Sequence, residues 1–138
     1  MTSLFILFMA VGADGTLSAY QATSQWDGVY TSEQAMRGQI LYDDHCASCH
    51  GAELNGGERA PSLAGDEFAA NWNGFTLGDL FELTSFSMPQ DDPGGLSSQQ
   101  NADILAYMLQ KGDYPDGQTE LATDLEVLKT VKIIGTKP

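Results

Sequence analysis

Positive charge is what this chain most lacks. Six Lys and Arg stand against nineteen Asp and Glu, a formal net charge of -13. Such a balance repels nucleic acid and anionic lipid, so neither is expected as a partner. Cysteine is scarce too: Cys46 and Cys49 are the only two, too few for the multiply bridged scaffold of a small secreted domain. Long apolar runs are missing. The longest, Leu4–Val11, is too short to cross a bilayer, so no transmembrane span is expected. There is no internal repeat, no strand–helix–strand alternation and no convincing sheet. Nothing specifies an oligomeric state.

What is present suits one domain. The 138 residues are 42% hydrophobic, ordinary for a globular chain. Residues 1–19 read as a signal or targeting segment: an apolar run followed by small residues, with cleavage expected after Ala13. No Lys or Arg precedes the run, and a buried N-terminal strand or helix is the competing reading. Residues 20–30 are polar and irregular, a linker or wrapping arm. Residues 31–112 form the expected core, and 113–138 a C-terminal extension packed on it.

The core reads as helices joined by long loops. Thr31 with Gln34 fits a capping box, opening a helix carried by Ala35, Met36, Ile40 and Tyr42. Gly38 inside it costs about 1 kcal/mol against alanine and implies a packing reason. A glycine-rich loop runs from Gly51 to Gly65. A short helix is expected over 66–72. Thr76 caps another, whose Leu77, Leu80, Phe81 and Thr84 share one face. Ser97 and Gln100 open the next, with Ile104, Leu105, Met108 and Leu109 as its apolar stripe and Gly112 as terminator. Thr123 with Glu126 opens a last helix bearing Leu125, Leu128 and Val131. Ile133 and Ile134 follow as a packed-back tail. The fold class is therefore all-α, three to five helices with long loops.

One stretch carries chemistry: Cys46-Ala47-Ser48-Cys49-His50. Two thiols two residues apart, followed at once by histidine, is the attachment signature of c-type haem. The thiols add to the two porphyrin vinyl groups, and the imidazole reaches the iron. A redox dithiol would want a βαβ context. A zinc site would need four ligands, and adding His45 would crowd all of them into six residues. A haem protein that transfers electrons needs both axial positions filled, so a second ligand is sought. Met36 and Met108 fall on apolar helix faces, where methionine is ordinarily core filler. His45 would have to reach round to the other face. Met88, held in a loop by Pro89, is the favoured ligand.

These residues, with Ala60-Pro61-Ser62-Leu63, Thr84–Pro89 and the closing helix Ala102–Leu109, resemble a class I c-type cytochrome over residues 31–112. Met88-Pro89, Pro93–Ser97 and Ala102–Tyr107 are more narrowly similar to periplasmic cytochromes associated with quinoprotein alcohol dehydrogenases. The resemblance implies the small cytochrome c fold around one covalently bound haem c, with iron held by His50 and Met88. It pairs Gly38 and Tyr42 with Ile104 and Tyr107. It gives the Pro61 carbonyl to the iron-bound histidine, lays Leu63 on the haem face, and offers Trp72 and Arg59 as propionate partners.

The implied function is one-electron transfer between Fe(III) and Fe(II), without enzymatic turnover of its own. The expected place is the periplasm or the outer face of a bacterial membrane. Donor and acceptor would be a dehydrogenase and a terminal oxidase. The alternative is a haem enzyme or a gas or peroxide sensor with an open sixth position. Residues 43–103 hold eleven acids and one base, Arg59, so a partner with a basic docking patch is expected.

Overall fold

The computed structural model describes residues 21–138. The expected targeting segment, residues 1–19, lies outside the described residues. Six α-helices follow in order: α1 (Ser32–His45), α2 (Ala47–His50), α3 (Gly65–Trp72), α4 (Leu77–Ser87), α5 (Ser98–Lys111) and α6 (Leu125–Leu128). Among the described residues no strand forms; Lys132 makes isolated bridges to Ser24 and Thr76. The fold is the all-α one expected. The additional helix is α2, the attachment turn itself.

The two long helices α1 and α5 pack against each other. Their contact is close because Gly38 has no side chain. A Cβ there would run into the backbone carbonyl of Asp103 and lie 3.0 Å from Tyr107 Cβ. Of the facing pair expected, Tyr107 does lie against Gly38, and the tightest contact is with the Asp103 backbone. One turn along, the Tyr42 and Tyr107 rings meet at 5.4 Å. Beside them Arg37 reaches across from α1. Its Nε and Nη2 each donate to the buried Asp103 carboxylate at 3.1 Å, and Nη2 also donates to Glu120 at 2.9 Å. Those carboxylates push the guanidinium pKa up.

The phase of α1 corrects the sequence reading. Its buried residues are Gln34, Ala35, Gly38 and Tyr42, while Met36 and Ile40 face outward, 57% and 65% exposed. Gln34 is also diverted. The Thr31 hydroxyl accepts the Gln34 N–H at 3.1 Å, but the Gln34 side chain leaves the box. It donates to the Leu121 carbonyl at 3.2 Å and accepts the Leu121 N–H at 2.6 Å. Gln25 does the same for Ile134, with bonds of 2.7 and 2.9 Å. Two buried amides thereby stand in for a neighbouring strand. They fasten residues 21–30 and the chain's C-terminal stretch to the helices.

The remaining helix ends follow local chemistry. Thr76 and Asp79 make both halves of a capping box, as do Ser97 and Gln100. The Thr76 N–H and hydroxyl hold the Asp79 carboxyl below its ordinary range. The last helix is capped by Asp124, whose Oδ1 accepts from Glu126 and Val127 N–H, and not by Thr123. α5 does stop at Gly112, but Gly112 has φ -83, and the left-handed residue is Asp113, φ 61. A Cβ at Gly112 would press on the Tyr114 ring at 2.7 Å, so that glycine serves packing. In the tail Ile133 is buried and its N–H bonds the Phe75 carbonyl at 2.8 Å.

Candidate haem-attachment site

α1 and α2 are joined by a single residue. Cys46 ends the first, its N–H bonding the Tyr42 carbonyl at 2.8 Å, and its own carbonyl accepts the His50 N–H at 3.0 Å. The two cysteines and His50 therefore sit within one helical turn. Cys46 is half-buried and Cys49 exposed, and neither is in a disulfide. Burial, with Cys49 beside it, pushes the Cys46 thiol pKa up to about 11. Burial thus disfavours the Cys46 thiolate, the reactive form of a thiol. Among the described residues no three His, Cys, Asp or Glu side chains gather as a metal-binding group, which gives the zinc reading no footing.

His50 is buried, 8% exposed. Its Nδ1 lies 2.9 Å from the Pro61 carbonyl oxygen. A carbonyl only accepts, so Nδ1 is the donor, which in a neutral imidazole leaves the Nε2 lone pair free for a ligand. The loop 51–64 is built to deliver that carbonyl. The Tyr42 hydroxyl donates to the Gly51 carbonyl at 2.7 Å, and the Gly56 N–H returns to the His50 carbonyl at 2.8 Å. Gly56 has φ +72, and a Cβ on it would meet Ser62 N at 2.6 Å and Pro61 C at 2.7 Å. Only glycine lets the loop close this tightly. Sequence reading missed Gly56 as a positioning residue; the Gly56-Gly57 pair was the available signal. Leu63 N–H bonds the Leu54 carbonyl at 2.8 Å, and Leu63 packs half-buried on the core.

Met88 is the C-cap of α4. Its N–H bonds the Thr84 carbonyl at 3.0 Å and its side chain is half-buried. The Met88–Pro89 bond is cis. Of the other candidates, Met36 is exposed, Met108 is core at 3% exposure, and His45 is exposed. Trp72 is half-buried, its ring edge-on to Phe75 at 5.6 Å. Among the described residues its indole N–H has no partner, and the exposed Arg59 makes no ion pair. Two thiols and a buried imidazole on one turn, with the ring's Nδ1 held by the Pro61 carbonyl, fit a covalently held haem.

Residues 33–108 match the family described as cytochrome C oxidase, cbb3-type, subunit III. Among solved structures, the chain is similar to one in the crystal structure of the sulfane dehydrogenase SoxCD from Paracoccus pantotrophus. The identity is 21% and the TM-score 0.54, over 95% of this chain and 68% of that one. At that identity the likeness shows the fold. No curated protein gave a significant match.

Proposed function

The chain belongs to this family of c-type cytochromes, and from that we propose that it is a monohaem one-electron carrier. In this reading Cys46 and Cys49 hold haem c through thioethers, and His50 and Met88 are its axial ligands. Bound there, haem c supplies reversible one-electron Fe(III)/Fe(II) chemistry. The observation that carries the reading is the Pro61 carbonyl on His50 Nδ1 at 2.9 Å. It fixes the tautomer, presents the Nε2 lone pair and resists rotation of the ring. Such a contact raises the basicity of a ligating imidazole.

The rest of the chain would work by holding still. The Tyr42–Gly51 and Gly56–His50 hydrogen bonds lock the histidine side, and α4 presents Met88. Trp72 and Arg59 would take the propionates. The protein would turn over no substrate itself. Its donor would be a dehydrogenase and its acceptor an oxidase on the outer face of a bacterial membrane, with residues 1–19 as the leader. Pairing with a quinoprotein alcohol dehydrogenase rests on the Met88–Tyr107 stretch alone, and the similar proteins do not extend to it.

The test is covalency. After denaturation in acidified organic solvent, the colour should stay with the polypeptide. Cys46→Ala with Cys49→Ala should release it or yield colourless chain. Colour extracted from the unaltered protein would reject the attachment.

A further inference from the structure

We propose that the groove between α4, the start of α5 and α6 receives a basic side chain, Lys or Arg, from a protein redox partner. This deepens the electron-carrier reading and rests on it. Glu82, Ser85 and Phe86 stand at i, i+3 and i+4 on α4 and so share one face. They line a cavity of about 360 Å³ whose other walls include Leu96, Asn101 and Leu125.

Each of these groups suits a cation on an apolar stem. Phe86 is 73% exposed, on a helix whose Leu77, Leu80 and Phe81 are buried, and a bare aromatic face attracts Lys and Arg. Leu96 and Leu125 can cover the methylene stem. Glu82 supplies the opposite charge. Its contact with Lys129 is long, 3.9 Å, with both side chains more than 40% exposed, and such a pair is readily exchanged. The Ser85 hydroxyl is buried with no hydrogen-bond partner, alone among the described side chains. It lacks the partner that buried hydroxyls ordinarily have.

Charge decides what the occupant is. A second copy of the chain would bring net -13 against -13, so self-association is disfavoured and a foreign basic surface is favoured. Position decides what it does. Phe86 is two residues before Met88, so a partner seated here would lie beside the proposed sixth ligand.

The experiment titrates the reduced, haem-loaded full chain with a short capped peptide containing two arginines, following backbone amides by NMR. The same peptide with citrulline in place of arginine is the neutral control. Shifts should centre on residues 82–86, 96 and 125, and citrulline should abolish them. Glu82→Gln and Phe86→Ser, both at exposed side chains, should each weaken binding about fivefold, the size of one exposed cation–π or rim contact. Ser85→Ala should weaken it in the same direction. Shifts centred on Asp43-Asp44 or Asp91-Asp92, equal binding of the citrulline peptide, or indifference to Glu82→Gln and Phe86→Ser would each overturn the proposal. The haem spectrum of the same sample separates the two readings. A normal spectrum with misplaced shifts rejects the docking site alone, whereas a chain that binds no haem rejects both.

Discussion

At the scale of single residues, Gly38 sets two physical effects against each other. Helix propensity alone says that Gly38→Ala should stabilise the protein by about 1 kcal/mol. The structure says the reverse, because the new Cβ would overlap the Asp103 carbonyl. That obstacle is backbone and cannot rotate aside, so α1 and α5 must part. Overpacking of this kind costs roughly 1–3 kcal/mol, and a lower urea midpoint with unchanged slope is the expected result. An unchanged or raised midpoint would mean that the helices separate freely. Gly38 was legible in the sequence as an out-of-place helix glycine. Tyr107 was named through resemblance, but the Asp103 contact was not legible, since a backbone carbonyl leaves no side-chain signature. The same holds for Pro61, whose role toward His50 came from resemblance, and for Gly56, whose need for φ +72 depends on a loop closure across several residues.

At the scale of elements, legibility tracks how local the chemistry is. The Thr76–Asp79 and Ser97–Gln100 boxes were readable because each satisfies its own turn. The Thr31–Gln34 box was half readable. A distant backbone, Leu121, outcompetes the local N–H for the Gln34 amide. The Thr123–Glu126 pattern misled because the neighbouring Asp124 is an equally good cap and already satisfies two N–H groups. On α1 the apolar residues Met36 and Ile40 suggested a buried face, yet the helix turns them outward. The close approach at Gly38 and Tyr42 fixes the phase and leaves that face to solvent. The six-helix architecture was visible almost whole; α2 was not, because four residues are too few to carry a helical periodicity. The Cys46–His50 half of the site was legible from spacing. The Met88 half rests on elimination and on resemblance.

At the scale of the whole molecule, the dominant property is charge. With eleven acids and one base across residues 43–103, the region around the proposed haem site is strongly anionic, and steering by opposite charge fades over about 10 Å at 0.1 M salt. Electron transfer to a basic redox protein should therefore slow as salt rises. Asp91→Asn with Asp92→Asn removes two of the eleven steering charges and should weaken that dependence while leaving the haem spectrum unchanged; a rate that is flat or climbs with salt would point to apolar docking. Central to the account, however, is a haem iron whose two axial positions are both filled by the chain. The optical spectrum of the reduced protein before and after carbon monoxide tests this most directly. With His50 and Met88 bound, the spectrum should not change, and Met88→Ala should make it shift on the same treatment and lose the sulfur-to-ferric charge-transfer band when oxidised. A carbon monoxide adduct in the unaltered protein would contradict the account and indicate an open sixth position, as in a haem enzyme or sensor.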